Sequence, residues 1–90
     1  MRYTVVWKPA AEAQLAAIWN ASSHRAAVTS AADAIDSALR NDPVLRGETY
    51  TRKTRVLQEW PIIVIYRVHE GDRLVRVLSV DELRPPENPE

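Results

Sequence analysis

Six cations in this 90-residue chain could do chemistry together: Arg46, Arg52, Lys53, Arg55, Arg67 and Arg76. Four of them fall between residues 46 and 55 against one anion, Glu48, so that ten-residue stretch carries net +3. The whole chain has twelve Lys/Arg and twelve Asp/Glu, and the remainder is therefore net −3. Guanidinium and ammonium groups hold phosphate oxygens through charge-assisted hydrogen bonds, and an arginine aimed at a phosphoryl oxygen stabilises charge developing there during strand cleavage. A total charge of zero argues against a strongly basic nucleic-acid coat but leaves this local patch in place.

Other chemistries find no support. With no cysteine there is no thiolate nucleophile, disulfide or Cys-ligated metal, and His24 and His69 lie in different segments without a second ligand at metal spacing. There is no Gly-rich phosphate loop, HExxH or GxSxG. Asp33 and Asp36, three apart, read as a solvated helix face. Neither a metal nor a cofactor is expected. Composition, 46% hydrophobic and 27% charged, is that of one globular domain, and six prolines with two glycines exclude a collagenous chain. The longest apolar run, Pro61 to Tyr66, is far short of the ~20 residues of a membrane span. The lack of cysteine and of an apolar signal core at the N-terminus predicts a cytoplasmic protein.

The elements that must position the cations can be read from spacing. Tyr3 to Trp7 is β-branched and aromatic and stops at Lys8-Pro9, which predicts a strand followed by a helix with Pro9 at its start. Ala11, Leu15, Ile18 and Trp19 share one face of that helix over 10–20. Ser22 or Ser23 then caps a second helix over 24–41, with Val28, Ala31, Ala32, Ile35, Ala38 and Leu39 inward and Arg25, Asp33, Asp36 and Arg40 outward. Asn41-Asp42-Pro43 ends it. Three strand-like runs follow at 51–58, 62–69 and 73–80, the last two joined by Glu70-Gly71-Asp72. The fold class is α+β: a β-α-α-β-β-β two-layer sandwich, an antiparallel sheet with a helical hairpin on one face. A single domain covers 1–82, and 83–90, rich in proline, forms an extended tail.

Strand alternation sets Lys53 and Arg55 on one side of their strand and Thr54 and Val56 on the other. Taking Ile62, Val64, Tyr66 and Val68, with Val75, Val77 and Ser79, as the helix-facing set leaves Lys53, Arg55, Arg67 and Arg76 on the uncovered face. Leu57, Ile63, Ile65, Leu74 and Leu78 would stand among them. The cations alone could be solvated strand residues pairing with Glu59, Glu70 or Glu82. Five large aliphatics on the same surface favour a partner instead.

This order of features resembles the RelE/ParE superfamily of toxins from bacterial type II toxin–antitoxin modules, also called plasmid stabilisation toxins. The carriers are Val5-Val6-Trp7-Lys8-Pro9-Ala10-Ala11 leading to Leu15 and Ile18-Trp19, the Asp42-Pro43 to Gly47-Glu48 junction, Arg55-Val56-Leu57, Val64-Ile65-Tyr66-Arg67-Val68 and Val75-Arg76-Val77-Leu78. The resemblance implies a toxin held by a cognate antitoxin. It further implies a RelE-like, metal-independent endoribonuclease acting on mRNA at the ribosome, with a ParE-like inhibitor of DNA gyrase, or an inactive antitoxin-binding domain, as the alternatives. On the first, Lys53 and Arg55 match the basic positions of the second strand, as phosphate binders or in removing the 2′-hydroxyl proton. Arg76 matches the arginine that stabilises the transition state, and Arg46, Arg52 and Arg67 would bind substrate. RelE-like members commonly add a Tyr or His near the C-terminus; after Arg76 this chain offers Ser79, Asp81, Glu82 and Arg84.

Overall fold

Prolines set the boundaries of the helical hairpin in the computed structural model, which describes residues 2–83. After strand β1 (Thr4–Trp7), Pro9 takes the first position of α1 (Pro9–Ala21), where its missing N–H would have no helical partner in any case. Helix α2 (Arg25–Asn41) ends before Pro43, which opens a four-residue helix, α3 (Pro43–Arg46). The remaining strands are β2 (Glu48–Thr49), β3 (Arg55–Glu59), β4 (Ile62–His69) and β5 (Leu74–Glu82), with one 3-10 turn at Glu70–Asp72 before β5.

The sheet order is β1-β5-β4-β3-β2. The meander β3-β4-β5 is antiparallel, as expected, but β1 lies parallel to β5, so the sheet is mixed. A local sequence signal cannot report that pairing, because Thr4 meets Leu74 across almost the whole chain. The helices cover one face. Val28, Ala31, Ile35 and Leu39 of α2 and Ala11 of α1 pack on Ile62, Val64 and Tyr66 of β4 and Val75, Val77 and Val80 of β5. Each large side chain so buried contributes roughly 1.5–3 kcal/mol relative to exposure.

Three local departures from the expected pattern have visible causes. Strand β3 begins at Arg55 rather than Thr51 because the Thr51 hydroxyl accepts the N–H groups of Lys53 (3.3 Å) and Thr54 (3.1 Å), holding 51–54 as a turn. Neither serine caps α2: His24 holds the cap position, and Ser22 Oγ accepts the His24 N–H at 2.8 Å, one step before the helix. Along β5 the alternation breaks at a bulge, where Tyr66 pairs with Val77 and Ile65 with Ser79, leaving Leu78 without a partner. Val80 rather than Ser79 therefore reaches the core. Just beyond the end of β1, the Val80 N–H donates to Gln14 Oε1 of α1 at 2.8 Å. The tail expected over 83–90 lies, beyond Leu83, outside the described residues.

Candidate functional site

Register decides what each cation can reach. Arg55 pairs with Tyr66 and Leu57 with Val64, so Arg55 and Leu57 are on the helix-facing side, not on the uncovered face expected for them. The alternation along β3 is as anticipated, but the opposite parity faces the core because Leu57 is drawn to the helices. The Arg55 guanidinium donates from Nη2 to the carbonyls of Val44 (2.5 Å) and Gly47 (2.6 Å) and from Nη1 to Thr49 Oγ1 (3.5 Å). Its Nε is buried without a partner among the described residues. Beside it, the buried Tyr66 hydroxyl donates to the Pro43 carbonyl at 2.5 Å. Burial raises the Tyr66 pKa above the ordinary 10.0, and the neighbouring Arg55 offsets part of that rise.

Arg55 and Tyr66 together fasten α3 and the turn into β2 onto the sheet. Gly47 is required in this corner for space: a Cβ there would collide with Tyr66 Oη and stand 2.9 Å from both Tyr66 Cζ and the Val56 carbonyl oxygen. A hydrogen bond from a charged donor contributes about 1.5–3 kcal/mol, so this guanidinium has a structural task.

The uncovered face presents the other arginines. Arg67 of β4 and Arg76 of β5 are direct cross-strand partners, both exposed, with Val6 of β1 opposite Arg76 on its other side. Ile63, Ile65 and Leu74 stand half-buried on the same surface. At the head of β3, Arg52 and Lys53 project from the 51–54 turn. With Thr49, Thr51, Thr54, Arg55, Arg67 and Val68 they line a cleft of about 320 Å³ that has no acidic residue in its wall. Arg46 is separate, on a pocket of about 220 Å³ with Glu48, Val56, Leu57 and Gln58. Among the six cations, Arg52, Lys53, Arg55 and Arg67 thus meet at one cleft, Arg76 lies one strand away, and Arg46 lies apart. Lys53, Arg55 and Arg76 do not share one face of the sheet.

A larger groove of about 530 Å³, which spacing alone did not single out, opens between α1, α2 and β1. Trp7, Leu15, Ala16, Trp19, Val28 and Ala32 form an apolar wall, and Glu12, Asp33 and Asp36 give it acidic charge. Asp36 accepts from Trp7 Nε1 at 3.1 Å and from Arg40 Nε at 2.7 Å, so it is a tether as well as a surface carboxylate. The signal for this groove was the alanine content of both helices, since small side chains leave space where larger ones would close it. Among the described residues no three His, Asp or Glu side chains gather as a metal site, and no helix is long and apolar enough to cross a membrane.

Known structures share this fold. The chain superposes on the RelBE2 toxin–antitoxin complex of Mycobacterium tuberculosis with TM-score 0.75 at 20% identity, covering 91% of this chain and 92% of that one. It is similar to the chromosomal ParDE system of P. aeruginosa, with TM-score 0.68, 16% identity and coverage of 92% and 98%. For the isolated E. coli RelE toxin the TM-score is 0.66 at 12% identity, with coverage of 94% and 88%. At these identities the likeness is one of fold. Among curated protein sequences none matches. The family model described as the ParE toxin of the type II toxin–antitoxin system parDE matches residues 5–83, and on that match this chain belongs to the ParE toxin family.

Proposed function

We propose that this toxin inhibits growth by binding its target, DNA gyrase being the target that ParE-like character implies, and not by cutting RNA. The observation that carries this reading is the position of Arg55. An endonuclease of the RelE kind would bring Lys53, Arg55 and Arg76 to one scissile phosphate, whereas here Arg55 is engaged with the Val44 and Gly47 carbonyls on the opposite side of the sheet from Arg76. No Tyr or His follows Arg76 to act as acid or stacking group. The match to a ParE family model over 5–83 supports the same conclusion.

A cognate antitoxin, the kind of partner present in the RelBE2 complex, completes the reading. The apolar, acid-rimmed groove between α1 and α2 fits an amphipathic antitoxin segment with basic flanks. A gyrase target would be met in the cytoplasm.

Two assays on the full chain test the proposal. Purified toxin should inhibit supercoiling by gyrase in proportion to its concentration, and primer extension on a translated message should show no new 5′ ends. Cleavage that disappears in Arg76→Ala would replace the proposal with the endonuclease. Unchanged supercoiling, no cleavage and normal growth on expression would leave an antitoxin-binding domain without toxicity.

A further inference from the structure

Exposed apolar side chains are concentrated in one short stretch. Of the six large hydrophobics that stand in solvent among the described residues, three, Val44, Leu45 and Tyr50, belong to α3 and the residue after β2, and Leu45 is 83% exposed. Scattered singly, such residues are ordinary; here two are consecutive on a corner that buried groups hold in place. Arg55 donates to the Val44 and Gly47 carbonyls and Tyr66 to that of Pro43, so Leu45 is presented on a fixed backbone. Backbone already ordered by folding loses little further freedom on binding. Arg46, also exposed, follows Leu45, and residues 43–55 hold four cations against Glu48 alone. On the opposite flank Asp42 and Glu70 line a hollow beside Leu45 and Tyr3.

We infer that this corner is a plug for the α1–α2 groove of a second copy of the chain, so that toxin molecules free of other partners associate head to tail. The groove has the complementary chemistry. Its wall is apolar, its charged lining residues are Glu12, Asp33 and Asp36, and no Lys, Arg or His lines it. At about 530 Å³ it is of a size that takes a compact ligand, with room for Val44 and Leu45 together. Insertion removes both aliphatics from water and sets Arg46 against the acidic rim, where opposite potentials orient the encounter. The Asp42 and Glu70 flank must then turn away from that rim, which gives entry one orientation. The contact cannot form within one molecule. Arg55 and Tyr66 hold the corner on β3 and β4, whereas the groove opens between α1, α2 and β1, and the two share no residue. A corner seated in the groove of the next copy leaves a free corner and a free groove at the ends, so growth does not stop at two. The interface is small, and association is accordingly weak and concentration-dependent. The groove is the one assigned above to an antitoxin segment, but the inference rests on the chemistry of groove and corner and holds with or without that assignment.

Sedimentation velocity of the purified full chain, across protein concentration and salt, tests this. The mean mass should rise with concentration past that of a dimer, and salt near ~1 M, where the Debye length is about 3 Å, should weaken the association. Leu45→Glu turns a carboxylate toward the acidic rim and should associate about tenfold or more weakly than the parent. Its Tm should be unchanged, because Leu45 already stands in solvent. Ala16→Trp, at an exposed position of the groove wall, should fill the groove and have the same effect, and Asp33→Arg, exposed on the rim, provides a second groove variant. Each variant retains one intact surface: the groove of Leu45→Glu and the corner of Ala16→Trp. An equimolar mixture of the two should therefore form a 1:1 pair, and grow no further, at concentrations where each alone is monomeric. A parent that stays monomeric at low salt, a Leu45→Glu variant that associates as the parent does, or a mixture that remains monomeric overturns the inference. So does a parent that stops at a dimer, which would assign the contact to a two-fold pairing of like surfaces.

Discussion

Arg55 and Arg76 are the same residue type on two strands of one sheet, separated by β4, yet they differ in almost every physical respect. Arg55, on the helix-covered face, is partly buried and hydrogen-bonded to two backbone carbonyls. Arg76, on the uncovered face, is exposed and has another arginine as its cross-strand partner. The covered face uses charge to close a structural corner. The open face leaves its charge in solvent at a cost in repulsion between Arg67 and Arg76. Strand parity and register, not residue type, separate the bonded from the exposed arginine here.

The comparison can be broken first with apolar side chains. Ile62 is fully buried on the covered face, and Ile62→Ala should cost about 2–5 kcal/mol in urea denaturation. Ile65→Ala on the open face should cost less than half as much, since Ile65 already meets solvent. Equal losses would mean that the open face is covered in solution.

Next come the arginines themselves. Arg55→Ala leaves the Val44 and Gly47 carbonyls without their donor and should cost about 1–3 kcal/mol. Arg76→Ala should leave the thermal midpoint unchanged or raise it. If Arg76→Ala were the more destabilising, the roles assigned to the two faces would be reversed. A smaller loss than at Arg55 is expected at Tyr66. Its folded pKa is raised, chiefly by burial, so the protonated phenol is favoured in the folded state. The associated stability is present below the ordinary pKa of about 10 and is lost as pH rises through the higher folded value. Tyr66→Phe should lose the hydrogen bond to Pro43, roughly 1 kcal/mol at neutral pH, and should not show the Tyr66 part of the alkaline decline.

Much of this architecture was legible from spacing. The inward stripe of α2 and the bounds of β4 at Ile62 and His69 followed from periodicity alone. What escaped was information that local patterns do not carry. Alternation along β3 separated Arg55 from Val56 correctly, yet which parity met the helices depended on pairing with β4. Leu57 could have indicated it, being a large aliphatic on the same parity as Arg55. The Arg55 acceptors were invisible because main-chain carbonyls at Val44 and Gly47 have no signature in residue type. At the β5 bulge one unpaired residue reversed the alternation, moving Val80 inward in place of Ser79.

The pairing of β1 with β5 also bears on when the toxin can exist. Thr4 finds its partner at Leu74, seventy positions later (74 − 4), and Lys8 donates to the Val77 carbonyl at 3.1 Å. A nascent chain can form its helical hairpin early, but its first strand has no neighbour until the last one has emerged from the ribosome. Premature termination anywhere before β5 would release a fragment without a closed core and without Arg76. The topology thus makes translation through β5 a condition for closing the core and for presenting the open face that carries Arg76.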